Sequence, residues 1–187
     1  LESYRHFQRQ MAACDEHIEA MLARFDSQEQ PSEAPSTKYK AKGNQPAFDV
    51  PCEIHRILGV DLTAIPGMSA QGVLTFFCEV GPQITRFPSS RHFASWLGLC
   101  PDNRISGGKI LSVRTRHVVS RLSAALRMAA QSLHRSHSYL GDCFRRMRTR
   151  LGTPAAITAL AHKLARILYH LITTREPYAE SVFAATE

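Results

Sequence analysis

The chain has 187 residues with 44% hydrophobic content, enough for one core of ordinary size plus an appendage, or for two small units. Charge or polarity interrupts every apolar run before the roughly 18 residues a membrane helix needs, and the polar opening at Leu1 lacks the form of a signal peptide. A net charge of +7 on basic segments without a Trp/Phe-rich face argues against a membrane surface and for a polyanion, so DNA or RNA is the expected partner and the cytoplasm the expected location.

The first predicted element is a helix over 1–26. Tyr4, Phe7, Met11, Cys14, Ile18, Met21 and Phe25 alternate spacings of three and four, the a/d seam of a coiled coil over about three heptads. A lone helix of that length is marginal in water, so the seam needs a partner. That partner is a second copy, a preceding helix, or the chain's own domain. Residues 27–50 lose all periodicity and read as a flexible linker rich in Ser, Pro, Gln and Lys, with Lys38, Lys40 and Lys42 in reach of phosphate or simply solvated.

From Pro51 to 178 the pattern is that of a compact helical domain. Residues 52–58 form a short amphipathic turn. Leu62 and Ile65 then precede Pro66-Gly67, and a second helical run carries Val73, Leu74, Phe76 and Phe77. Two short helices about a Pro-Gly turn resemble a helix-hairpin-helix element, in which amides near Gly67 could receive a DNA phosphate; a plain structural turn is the alternative. Ser89 and Ser90 offer an N-cap to a helix whose buried face holds Phe93, Trp96 and Leu97, with the Trp read as core. Residues 99–112 break the helical pattern, and Ser106-Gly107-Gly108 predicts a tight hairpin or exposed loop.

Three further helices follow. The first is expected over 113–134, with Val118, Leu122, Ala125, Leu126, Ala129 and Leu133 on one face. The second is marked by Leu140, Phe144, Met147 and Leu151, with Arg145, Arg146, Arg148 and Arg150 on its other faces. The third starts with Thr153 as N-cap and Pro154 at the first helical position, and Pro177 closes it. Residues 179–187 read as a tail. The expected fold class is therefore mainly α, without an extended sheet.

Charge is unevenly spread. Residues 86–175 carry 16 Lys and Arg against two acids, Asp102 and Asp142, whereas 1–85 and the last 12 residues are net acidic. Cys14, Cys52, Cys78, Cys100 and Cys143 form no CxxC pair and read as small buried hydrophobes in a reducing compartment. His134 and His137 could share a helical face, but no third ligand accompanies them, so no metal site is expected in this chain.

One segment gathers the parts that phosphoryl transfer requires. A serine becomes a useful nucleophile when a base takes its proton or nearby charge stabilises the alkoxide, and the transition state needs cations and amides around the equatorial oxygens. Arg104 and Lys109 flank Ser106, Gly107 and Gly108 allow close approach of a phosphate, and Arg114 and Arg116 follow at the expected start of the next helix. The same letters also describe an ordinary surface turn. The Arg145–Arg150 cluster reads as a further phosphate-contact surface.

The order IPGMSAQGVLTFFCEVG, FPSSRHFASWLGLCP, ISGGK, a basic helix and ALAHKLARILYHLITTREPY resembles one family over about residues 60–178. That family is the insertion-sequence transposases numbered one hundred and ten, RNA-guided recombinases of bacterial mobile elements. The resemblance implies that Ser106 attacks a DNA phosphodiester to form a phosphoserine link. It also implies a guide RNA, and dimers or tetramers assembled through the coiled coil. Members carry an N-terminal domain with four acidic residues holding divalent metal. Residues 1–50 offer no substitute, and the chain opens without Met, so a piece of a longer protein is expected, inactive alone. Ile105 stands where a small polar residue is expected. The alternative is a dimeric nucleic-acid-binding module that performs no chemistry.

Overall fold

The structure, a computed structural model, describes all residues except 29–34, 36–38, 42, 44, 113 and 185–187, and the side chains of Arg104 and Ile110. Lys38 and Lys42 fall outside the described residues. The architecture is mainly α, with a single two-stranded antiparallel hairpin among the described residues.

Helix α1 (Glu2–Leu22) lies mostly in solvent. Tyr4, Phe7 and Met21 of the apolar seam are exposed, while Ile18 packs against the core and Leu22, outside the seam, is buried. Its C-terminal end is thus seated on the rest of the chain. The described part of 27–50 is also tied down: Gln28 donates to the Arg56 and Ile57 carbonyls, Ala47 N donates to Asp15 Oδ2 at 3.0 Å, and Phe48 is buried.

Helix α2 (Val50–Leu58) is longer than the turn expected there, because Asp49 caps it by accepting from Cys52 N and Pro51 suits its first turn. A 3₁₀ turn at Leu62–Ala64 leads into Ile65-Pro66-Gly67-Met68, where Met68 N donates to Ile65 O at 3.0 Å and Gly67 takes φ +88°. Pro then Gly with positive φ is the signature of a type II turn. Helix α3 (Ala70–Val80) follows, capped by Ser69. A Cβ on Gly67 would stand 2.9 Å from the Ala129 carbonyl oxygen, so this turn packs closely on the distal end of a later helix.

Helix α4 (Ser90–Trp96) starts at Ser89, whose Oγ accepts from His92 N. Phe93 is fully buried, but Trp96 is 42% exposed, which corrects its assignment to the core. Its ring lies along the rim, against Phe87 and Phe93, with Arg86 on it. Helix α5 (Arg121–Ser132) begins eight residues later than the expected position 113. Thr115 is drawn into a bridge with Pro101, and Ser120 supplies the cap, its Oγ accepting from Ser123 N. Val118 accordingly packs on Gly98 rather than along a helical face.

Helices α6 (Tyr139–Leu151) and α7 (Thr153–Thr174) complete the core. Gly152 rather than Thr153 caps α7, which places Thr153 and Pro154 one position further in. Helix α7 is the hub. It packs against α4, α5 and α6, and its Leu160, Ala161, Leu164, Ala165 and Leu168 are wholly buried. The alanines let neighbouring helices approach while the leucines fill the space between them. The segment read as a tail contains a short helix, α8 (Glu180–Ala184), where Phe183 stacks on Tyr178.

The cysteines are free, but only Cys143 is buried; Cys14, Cys52 and Cys78 are exposed and Cys100 is intermediate. The expectation of five buried hydrophobes therefore fails for three, because their positions fall on the solvent faces of α1, α2 and α3.

Candidate functional site

Ser106 ends strand β1 (Arg104–Ser106) and pairs directly with Lys109, the first residue of β2 (Lys109–Ser112). The turn between them is Gly107-Gly108, with φ of +55° and +74°. Two successive positive φ values mark the type I′ pattern that matches strand twist in two-residue hairpins, and glycine adopts them without strain. A Cβ added at either glycine would meet nothing within 4 Å. Both glycines are exposed, and Ser106 and Lys109 share one face of the tip.

The stem is held more firmly than the tip. Ile105 pairs with Ile110 but Arg104 pairs with Ser112, so Leu111 is the extra residue of a bulge. Ile105 and Leu111 are both well exposed. Asp102 N donates to Arg114 O at 2.9 Å, and Arg116 Nη2 donates to Ser95 Oγ at 3.0 Å on α4. Arg116 thereby anchors the downstream strand. Arg114 is exposed beside it, on extended chain rather than at a helix start. The Arg104 side chain lies outside what the structure describes.

Ser106 Oγ has no hydrogen-bond partner among the described residues, so no side chain is placed there as a base. Burial pushes the nearby Cys100 thiol up, partly offset by the Arg116 guanidinium. That thiol stays protonated at neutral pH and does not compete as a nucleophile.

The remaining basic candidates rest on a different support. Helix α6 packs on α7 and on the 133–135 turn. Arg145 is engaged there: Nη1 donates to Ser136 O at 2.7 Å and Nη2 pairs with Asp142. Its role is to close the turn before α6. Arg148 and Arg150 are exposed on the same helix, as is Arg146. Gly67 is exposed at its type II turn, and the Ser69 cap already takes the Gly72 amide.

Sequence reasoning missed Arg86, whose Cζ lies 4.8 Å from the Phe87 ring centre and 5.4 Å from that of Trp96. The signal was the adjacency of Arg86, Phe87 and a lone Trp nine residues on, which only α4 brings together.

Among the described residues no group of three or more His, Cys, Asp or Glu could hold a metal ion. Nor is any described helix long and apolar enough to cross a membrane.

Residues 61–146 match the family described as Transposase IS116/IS110/IS902 family. Over these residues the chain is similar to that transposase family. The matched segment runs from the 3₁₀ turn before α3 into α6 and includes the whole Ser-Gly-Gly hairpin. The chain is also 32% identical over 130 residues to a protein of Sinorhizobium fredii (strain NBRC 101917 / NGR234) described as "Putative transposase y4pF/y4sB". That match covers 64% of this chain and 32% of the relative, so the chain spans about a third of the length of the relative it matches. Helices of the matched segment pack on α7, which lies beyond the matched residues.

Proposed function

We propose that this chain supplies the serine nucleophile of a DNA transposase, and that the nucleophile is Ser106. The observation that carries the reading is the exposed Gly107-Gly108 turn, which sets Ser106 and Lys109 opposite each other and leaves nothing within 4 Å of a Cβ built on either glycine. In the proposed reaction Ser106 Oγ attacks a backbone phosphorus and loses its proton. The bond from phosphorus to one sugar oxygen breaks, and that oxygen leaves as a DNA hydroxyl after taking up a proton. The phosphoserine ester conserves the bond energy. Attack by a DNA hydroxyl on the same phosphorus then joins strands and returns the serine.

Lys109, with Arg104 and Arg114, is assigned to the charge that builds on the phosphate oxygens, and the amides of Gly107 and Gly108 to close approach. Arg116 holds the stem. Arg146, Arg148 and Arg150 of α6 are assigned to the DNA backbone away from the reacting bond, where contacts position without reading sequence. The proposal extends to a guide RNA, to divalent metal supplied outside this chain, and to homodimers or tetramers formed through the exposed seam of α1.

The experiment is a search for a covalent protein–DNA adduct in the full-length transposase with guide RNA, metal and nicked DNA, mapped by peptide mass. An adduct on Ser106 that disappears in Ser106→Ala supports the reading. Tight DNA binding without an adduct, under conditions where a related transposase forms one, overturns it. A second reading, a nucleic-acid-binding module without chemistry, is favoured by the lack of a base on Ser106 among the described residues, and it predicts that Ser106→Ala changes nothing.

A further inference from the structure

A cleft of about 650 Å³ opens between the start of α4, the outer face of α7 and α8, apart from the hairpin. Its volume falls within the roughly 300–1,000 Å³ of small-ligand sites. One wall is a basic stripe, His162, Arg166 and His170, spaced four residues apart on α7 and therefore stacked along one side of that helix. Ser89 and Ser90 line the opposite side. The floor is apolar, made by Met147, Ile167 and Phe183.

Three features make this a formed site rather than a surface dent. Tyr169 Oη donates to Phe87 O at 2.9 Å and fixes the distance between α7 and the 87–90 turn. The Phe183 ring is held edge-on to His170 at 5.5 Å and stacked with Tyr178 at 5.6 Å. None of the described lining residues is acidic; the Glu176 carboxylate lies 3.8 Å from His170 Nε2. Lys163, also on the wall, is engaged with Tyr139 Oη at 2.7 Å, which leaves Arg166 as the leading cation at the mouth. Burial and Arg166 hold His162 below the usual imidazole range, so at neutral pH it offers a hydrogen bond without charge.

We propose that this cleft receives one unpaired nucleotide of a nucleic-acid strand, its base against Phe183 and Ile167 and its phosphate on Arg166 and His170. An apolar slot with an aromatic wall suits a base of any identity, and the cationic mouth suits the backbone. The inference rests on the reading of the chain as a DNA-handling protein but not on the role of Ser106.

The test is photo-crosslinking of the full chain to a short single-stranded oligonucleotide carrying 5-iodouracil, with the crosslinked peptides mapped by mass. Crosslinks to peptides containing Met147 or Phe183 are expected. Ala159→Trp, which fills the cleft, and the double variant Arg166→Ala/His170→Ala, which changes only partly exposed side chains, should each abolish them and weaken oligonucleotide binding about tenfold. Crosslinks confined to other elements, with affinity unchanged in the double variant, would overturn the proposal. A parallel titration with a free mononucleotide follows the His162 and His170 ring signals. If the mononucleotide shifts them and the oligonucleotide does not compete, the cleft serves a free nucleotide and the strand proposal fails. Ser106→Ala should keep the crosslink, so loss of the covalent adduct and loss of this site are separate outcomes.

Discussion

Arg56 closes the C-terminal end of α1, its Nη2 donating to the Leu22 carbonyl at 2.9 Å. Nη1 reaches Phe25 O at 2.8 Å, while Glu53 Oε2 accepts from both Nε and Nη2 of the same guanidinium. The last carbonyls of a helix have no intrahelical donor, and here a planar cation from α2 supplies one. Arg56→Ala should therefore loosen α1 before the rest of the chain. We expect faster amide exchange over 15–25 and a loss of about 1–2 kcal/mol in denaturant unfolding. Unchanged exchange in α1 would show that Leu22 burial alone seats the helix.

Glu79 performs the opposite task at the start of α5. Its carboxylate accepts from Arg121 N at 2.6 Å and from Ser120 Oγ at 2.8 Å, placing negative charge at a helix N-terminus. Glu79→Ala should lower stability by about 1–2 kcal/mol, and Glu79→Gln by less because one acceptor remains. Thermal unfolding of the two variants side by side checks the order.

Gly141 lies where α6 crosses the chain before it. A Cβ there would stand 2.3 Å from Ser136 O and 3.1 Å from Leu133 O, both backbone atoms that cannot rotate away. Gly141→Ala should cost about 1–3 kcal/mol despite the better helix propensity of alanine. A stability equal to the parent's would mean that the 133–136 turn yields easily.

At the hairpin the expected pattern is reversed. Gly107 has open space but φ +55°, so a substitution meets strain without a clash. Gly107→Val should cost more than Gly107→Asn, since Asn tolerates the left-handed region, and the penalty should stay near 1–2 kcal/mol and local to the hairpin. Global unfolding should scarcely move, while adduct formation at Ser106 drops more in the Val variant. Equal activity in both would detach the turn's shape from its function.

His162 sets a pH dependence whose sign follows from its environment. Burial, then Arg166, hold its pKa below the unfolded value of about 6.5, so at acid pH the unfolded chain binds a proton that the folded chain resists. This contribution to stability is complete above the unfolded pKa and is lost as the pH falls from there through the folded value. Denaturant midpoints measured from neutral to mildly acid pH should fall in the parent and fall less in His162→Gln. Parallel slopes would refute the assignment.

The helices were legible where apolar residues recur every three or four positions and a cap stands ahead of them, as at Ser89 for α4 and along Leu160, Leu164, Leu168 and Leu171 of α7. The Ser-Gly-Gly turn was legible because paired glycines between extended residues admit few conformations. Those features are local, and local chemistry dictates them. The start of α5 was not, because its amide is satisfied by Glu79, 42 residues earlier in the chain. Nor was the exposure of Trp96, since spacing places it on a helical side but only the packing of α4 on α7 decides how far that side is covered. Arg145 and Arg148 look alike in sequence, yet Arg145 is held by the Ser136 carbonyl at 2.7 Å and Arg148 stands exposed. Sequence determined the helical character, the basic half and the turn that carries Ser106. Tertiary structure decided which cations remain free for a ligand and where a cleft opens, because both depend on contacts between segments far apart in the chain.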